Sequence, residues 1–154
     1  MKKTRLLLLL ALLMTAATGA WADETLLLTI ESNYYSSFRS GSMTFDDKVT
    51  ITFSDEVEND GDIDGWYAYG GALLTVAGTN GYTITSCKFY TNLGTASTGY
   101  TVEGESPSVY LYKGKVYTDA NQSVNLGSYG VTKIEVYGTA PSAGFTVSLK
   151  DGVK

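Results

Sequence analysis

Alternating carboxylates, clustered aromatic rings and a single thiol are the groups in this chain that could hold a ligand or do chemistry. Asp60-Gly61-Asp62-Ile63-Asp64-Gly65 reproduces the first half of a calcium loop, D-x-D-x-D-G. In such a loop alternate carboxylates converge on a hard cation and the glycine allows the sharp turn beneath it. The match stops there. Position twelve, which should be a bidentate Glu, is Gly71, and the preceding residues 50–54 read as extended rather than helical. An EF-hand is therefore not expected. Two readings stay open: a different calcium site at Asp60, Asp62 and Asp64, or a solvated acidic turn in which Asp and Gly serve backbone geometry. The turn is preferred, so calcium is the one cofactor worth testing and no other is implied.

The aromatic rings form two groups, Tyr110, Tyr112 and Tyr117 in one, Trp66, Tyr67 and Tyr69 in the other. Flat rings can stack on sugar faces while their polar edges hydrogen-bond hydroxyls, so both groups are candidate glycan platforms. The competing role is structural. Tyrosine is a strand former that half-buries its ring and leaves its hydroxyl in water, and with 12 Tyr in the chain some clustering arises by chance.

Catalytic chemistry has few residues to draw on. The chain contains no His and one Cys, which removes Ser-His and Cys-His catalysis, His-based zinc sites, CxxC redox chemistry and internal disulfides. Paired carboxylates are present locally, at Glu103 and Glu105 and at Asp55, Glu56 and Glu58. A retaining glycosidase needs two carboxyls about 5 Å apart across a cleft, and nothing in the sequence pairs distant acids in that way. The expectation is a protein that is not an enzyme. Cys87 reads as a small core hydrophobe, the alternative being an exposed thiol seeking an intermolecular partner.

Residues 1–22 read as a cleavable signal peptide. Lys2, Lys3 and Arg5 open it, an apolar run from Leu6 to Leu13 follows, and Ala20-Trp21-Ala22 is a small-x-small cleavage site. The run is shorter than the roughly 20 residues a spanning helix needs. Removing the leader takes three of the 11 basic residues and none of the 16 acidic ones, leaving a formal charge of −8 on 132 residues. Such a chain repels phosphate backbones, so nucleic acid and insertion into a membrane are not expected. Trp66 becomes the only Trp.

The elements that must position these groups read as short strands. Residues 48–54 alternate cleanly, with Val49, Ile51 and Phe53 on one face. Further strands are expected at 25–31, 66–69, 72–77, 82–91, 100–103, 109–112, 115–118, 123–126, 131–137 and 145–149, separated by turn clusters such as Gly78-Thr79-Asn80-Gly81 and Gly127-Ser128-Tyr129-Gly130. Lys113-Gly114 is a two-residue hairpin turn, which sets Tyr112 opposite Lys115, Leu111 opposite Val116 and Tyr110 opposite Tyr117. Leu111 and Val116 then enter the core and the three phenols share the other face. Segments 84–90 and 131–137 echo one another weakly, with Cys87 in the place of Ile134 and Phe89 in that of Val136. The expected core comprises Val49, Ile51, Phe53, Leu74, Val76, Ile84, Cys87, Phe89, Leu111, Val116, Ile134 and Val136. Together these features predict an all-β chain, an antiparallel sandwich or jelly roll over residues 23–140.

The leader ending Thr18-Gly19-Ala20-Trp21-Ala22 resembles those of secreted and cell-surface proteins of Bacteroidales gut bacteria. Residues 81–90 and 131–138 resemble strands of uncharacterised β-sandwich modules in those proteins. The second segment is also similar to the closing strand of galactose-binding-like, discoidin-type jelly rolls. The resemblance implies a carbohydrate-binding or adhesion module, and it assigns no site residue. After Thr139-Ala140-Pro141-Ser142, residues 144–152 look like the opening strand of a further β-repeat, or else complete the sandwich. The functional expectation is a secreted, non-catalytic module that binds glycan or a cell-surface protein. The alternatives are a spacing element of a larger adhesin or stalk and, less favoured, a small glycan-active hydrolase.

Overall fold

The computed structural model describes residues 23–32, 41–59, 65–93 and 96–143. Among the described residues nine strands run in chain order: β1 (Thr25–Glu31), β2 (Gly41–Phe45), β3 (Val49–Phe53), β4 (Ala72–Gly78), β5 (Thr83–Leu93), β6 (Ala96–Glu103), β7 (Ser108–Tyr112), β8 (Lys115–Tyr117) and β9 (Asn125–Thr139). Every pairing is antiparallel, and the strands join one sheet in the order β2-β3-β4-β7-β8-β9-β5-β6, with β1 also against β9. The described residues contain no α-helix, and no helix among them is long and apolar enough to cross a membrane.

Period-two alternation builds each strand. Val49, Ile51 and Phe53 of β3, Leu74 and Val76 of β4, and Leu111 of β7 are buried, while Thr52 and Leu73 between them are exposed. All twelve residues expected in the core are buried, and those of both ends of the sheet belong to a single apolar cluster. Two of them, Ile84 and Cys87, are an odd number of residues apart. A bulge in the β5–β9 register between Ile84 and Ser86 shifts the phase and lets both point inward. The two echoing segments prove to be neighbours, with Cys87 opposite Val136 and Phe89 opposite Ile134.

The 15-residue β9 connects the two arms. One of its edges pairs with β5; the other receives β8 at its start and β1 toward its end. In the gap between them Trp66 and Val131 exchange two backbone hydrogen bonds, each 2.9 Å. The expected turn at residues 127–130 is corrected here: the chain stays in β9 and kinks, with Tyr129 at φ 66° and Gly130 at φ 75°. Left-handed backbone here bends the strand without ending it. A Cβ at Gly130 would collide with the Trp66 carbonyl, so the kink and the Trp66 bridge require glycine together.

Three other expectations meet the structure differently. Residues 66–69 form no strand; Trp66 and Tyr67 make isolated bridges to Val131 and Glu58. Strand β2 was not foreseen, because only Met43 and Phe45 of its five residues are apolar and its turn to β3 lacks glycine, using left-handed Asp46 and Asp47 at φ 49° and 53°. The expected strand at 145–149 lies outside the described residues.

Candidate functional site

The ribbon of β7 and β8 turns as its sequence requires. Lys113 and Gly114 take φ 49° and 75°, the primed turn that matches strand twist. The register is Tyr110 with Tyr117, Leu111 with Val116 and Tyr112 with Lys115. Burial of Leu111 and Val116 anchors the inner face and turns the three tyrosines outward, each half-buried. The Tyr110 and Tyr112 rings lie nearly parallel, 18° apart with centroids separated by 6.3 Å, and the Lys113 ammonium sits 5.0 Å from the Tyr112 ring centre.

This outward face continues across the sheet. Leu73, Tyr110, Tyr117 and Asn125 are successive cross-strand partners. The adjacent row is made of hydroxyls, Ser42, Thr52, Thr75 and Ser108. Among the described residues, the hydroxyls of Tyr110, Tyr112 and Tyr117 have no protein hydrogen-bond partner, so all three can donate to and accept from a ligand.

The aromatic strip ends in an acidic cleft. Ser54 closes β3 by binding Leu73 twice, its N–H donating to the Leu73 carbonyl (3.0 Å) and its Oγ accepting from the Leu73 N–H (2.8 Å). The chain leaving this clamp carries Asp55, Glu56 and Glu58 into a cleft of about 200 Å³, completed by Tyr69, Gly70 and Gly71. Gly71, at φ 98°, is where cleft and strip meet: a Cβ there would collide with the Tyr110 hydroxyl. Among the described residues, Tyr69 is the most exposed of the large apolar-bodied side chains, at 63%. Sequence reasoning recognised Asp55, Glu56 and Glu58 only as local acids. Their junction with Tyr110 comes from the β3–β4 and β4–β7 pairings, which sequence spacing does not display.

The second aromatic group divides. Trp66 is fully buried with its ring edge-on to Phe53 (centroids 5.7 Å, 69°), and Tyr67 is also buried. Neither presents a stacking face, which corrects the expectation that they form part of a platform. Their backbone bridges carry them inward: Tyr67 and Glu58 exchange hydrogen bonds of 2.9 and 3.0 Å, and the Tyr67 hydroxyl donates to Glu58 at 3.1 Å. Tyr69, edge-on to Tyr67 at 5.3 Å, stays outside. Asp60, Asp62 and Asp64, the expected calcium or turn residues, lie outside the described residues. Among the described residues no group of three or more acids, His or Cys is arranged to hold a metal. The Cys87 thiol is fully buried, and loss of hydration pushes its pKa up to about 12.

Tyrosines on the β5–β9 arm have a different setting. Tyr90 and Tyr137 both donate to Glu135 (2.9 and 3.0 Å), and Lys133 pairs with the same carboxylate at 3.3 Å. The Lys133 and Lys88 ammoniums lie 4.1 and 5.2 Å from the Tyr90 ring centre. Desolvation pushes the Glu135 pKa upward, but the hydrogen bonds from Tyr90, Tyr137 and Lys133 outweigh it and hold the group below its ordinary value.

The chain matches no family model, and no curated protein or solved structure matches it. The strip and its cleft are thus the features on which a functional reading must stand.

Proposed function

We propose that this chain is an exported, non-catalytic carbohydrate-binding module, a two-layered β-sandwich whose outward β7–β8 face holds a glycan. One observation carries the reading: three neighbouring phenols share one outward strip, two of them with near-parallel rings, and among the described residues none has its hydroxyl committed to a protein partner. Rings at fixed spacing on a rigid ribbon can stack on successive sugars at little entropic cost, while free hydroxyls and the flanking Ser/Thr row supply polar contacts. The leader at residues 1–22 and the resemblance to secreted β-sandwich modules support export. The absence of His from the chain and the high pKa of its only thiol support a binding role over a catalytic one.

A glycan array probed with the protein and with Tyr112→Ala tests the proposal. Binding to at least one glycan, weakened about tenfold by Tyr112→Ala, is the expected result. No binding to any glycan would transfer the reading to a cell-surface protein partner.

A further inference from the structure

Three strands present an edge that no described residue pairs with: β2 and β6 at the two ends of the sheet order, and β1, which pairs with β9 alone. An unpaired edge is a row of N–H and C=O groups that accepts another strand unless something blunts it. Two of the three are blunted. β2 has five residues and runs into the acidic turn at Asp46 and Asp47, and β1 is interrupted by a bulge between Leu26 and Leu28. β6 has eight residues, pairs with β5 without a register shift, and contains no Pro, Lys or Arg. Gly104 fixes the phase of its edge, donating its N–H to the Thr85 carbonyl at 2.8 Å. Antiparallel alternation then directs the backbone groups of Tyr100 and Val102 toward β5, and those of Gly99, Thr101 and Glu103 away from it. On the inner face Tyr100 and Val102 are half-buried at the rim of the core. On the outer face Lys88 and Tyr90 reach across from β5 and lie over Gly99, where a Cβ would collide with both. Among the described residues neither Lys88 nor Glu103 has an ion-pair partner.

We infer that β6 is a dimerisation edge, to which a second copy of this chain adds its own β6, antiparallel, across a two-fold axis at Thr101. In that register Thr101 faces its counterpart and Gly99 faces Glu103 of the second copy, each pair exchanging two backbone hydrogen bonds. Tyr100 then stands opposite Val102 of the second copy in the closer, non-hydrogen-bonded pairing, so the half-buried rims of the two cores cover one another. On the outer face Glu103 arrives opposite Gly99, where Lys88 already lies, and the symmetry makes that ion pair twice. Setting Tyr100 on the axis instead would move Glu103 opposite Ser97 and away from Lys88, and a parallel pairing would bring the two Glu103 carboxylates together. Charge thus selects both the antiparallel direction and the register. One strand edge buries less surface than a standard interface, so the dimer should be weak, with a dissociation constant of about 10–100 μM.

Sedimentation equilibrium from about 5 to about 500 μM brackets that range and tests the inference. A reversible monomer–dimer equilibrium is expected. Thr101→Lys, which sets two ammoniums together on the axis, should weaken it about tenfold or more, while Thr29→Lys on the exposed face of β1 leaves it unchanged. Lys88→Glu and Glu103→Lys should each weaken the dimer, and the two together should restore it, which a loss of folding would not do. Thermal melts of the dilute variants check that each monomer is intact. A protein that stays monomeric throughout the range overturns the inference, including the case where hydrogen exchange finds the Thr101 amide protected because residues 144–149 of the same chain occupy the edge. A dimer indifferent to Thr101→Lys and Glu103→Lys also overturns it, since the contact then lies elsewhere.

Discussion

On the β5–β9 arm, Tyr90 and Tyr137 direct their hydroxyls at one carboxylate and two lysines flank the Tyr90 ring. On the β7–β8 ribbon, Tyr110, Tyr112 and Tyr117 have the same outward orientation, the same partial burial and no such carboxylate. The difference lies in cross-strand partners. Lys133 and Tyr90 face each other across β9 and β5, and Glu135 stands two residues along the same face. Tyr110 instead faces Leu73 on one side and Tyr117 on the other. A tyrosine beside charged neighbours becomes part of the fold's own polar network. A tyrosine beside apolar or aromatic neighbours keeps its hydroxyl for something outside.

The largest effect that bears on this contrast comes from beneath both faces. Trp66→Ala should cost about 3–5 kcal/mol in urea unfolding, because it empties a fully buried volume against Phe53. If that cost proves small, the kinked β9 does not join the two arms and they need not be compared as parts of one sheet. Cys87→Ser should cost about 1–3 kcal/mol by placing a hydroxyl where no polar partner replaces water, and the native thiol should resist alkylation until the protein unfolds. Because its folded pKa is raised, the thiol's contribution to stability is complete below the ordinary thiol range and declines as pH rises from there toward about 12.

Smaller effects separate the two faces directly. Tyr110→Ala should weaken glycan binding about tenfold with a stability change under about 1 kcal/mol, whereas Tyr90→Ala should lower stability and leave binding unchanged. Reversal of that pattern on titration of both variants would break the comparison. The smallest effect is a pH dependence. The depressed Glu135 pKa means that its stabilising contribution is present above the unfolded-state carboxyl value and is lost as pH falls through the lower folded value. Thermal melts of Glu135→Gln should therefore lose stability less steeply in acid than the unmodified protein.

Much of this architecture was legible in residue order because it depends on local rules. The Lys113-Gly114 turn, the register of Tyr110 to Tyr117 and the burial of Leu111 and Val116 follow from strand alternation and from left-handed backbone at two positions. The path of β9 was less legible. Gly127-Ser128-Tyr129-Gly130 has the composition of a turn, and the strand runs through it on pairings with distant residues: β8 and β5 at Ser128, β5 at Val131, and the bridge from Trp66, 65 positions before Val131. Trp66 itself looked like a surface platform because an aromatic cluster has the same appearance in sequence whether its rings point in or out.

Alternation of apolar side chains, a primed turn and an acidic composition were settled by the sequence alone, since each depends on neighbours a few residues apart or on a sum over the chain. Which tyrosines retain free hydroxyls, and that Asp55, Glu56 and Glu58 adjoin Tyr110, were decided by tertiary structure. Those outcomes depend on strand pairings between residues far apart in the chain, where a one-residue change of register would exchange the inner face for the outer.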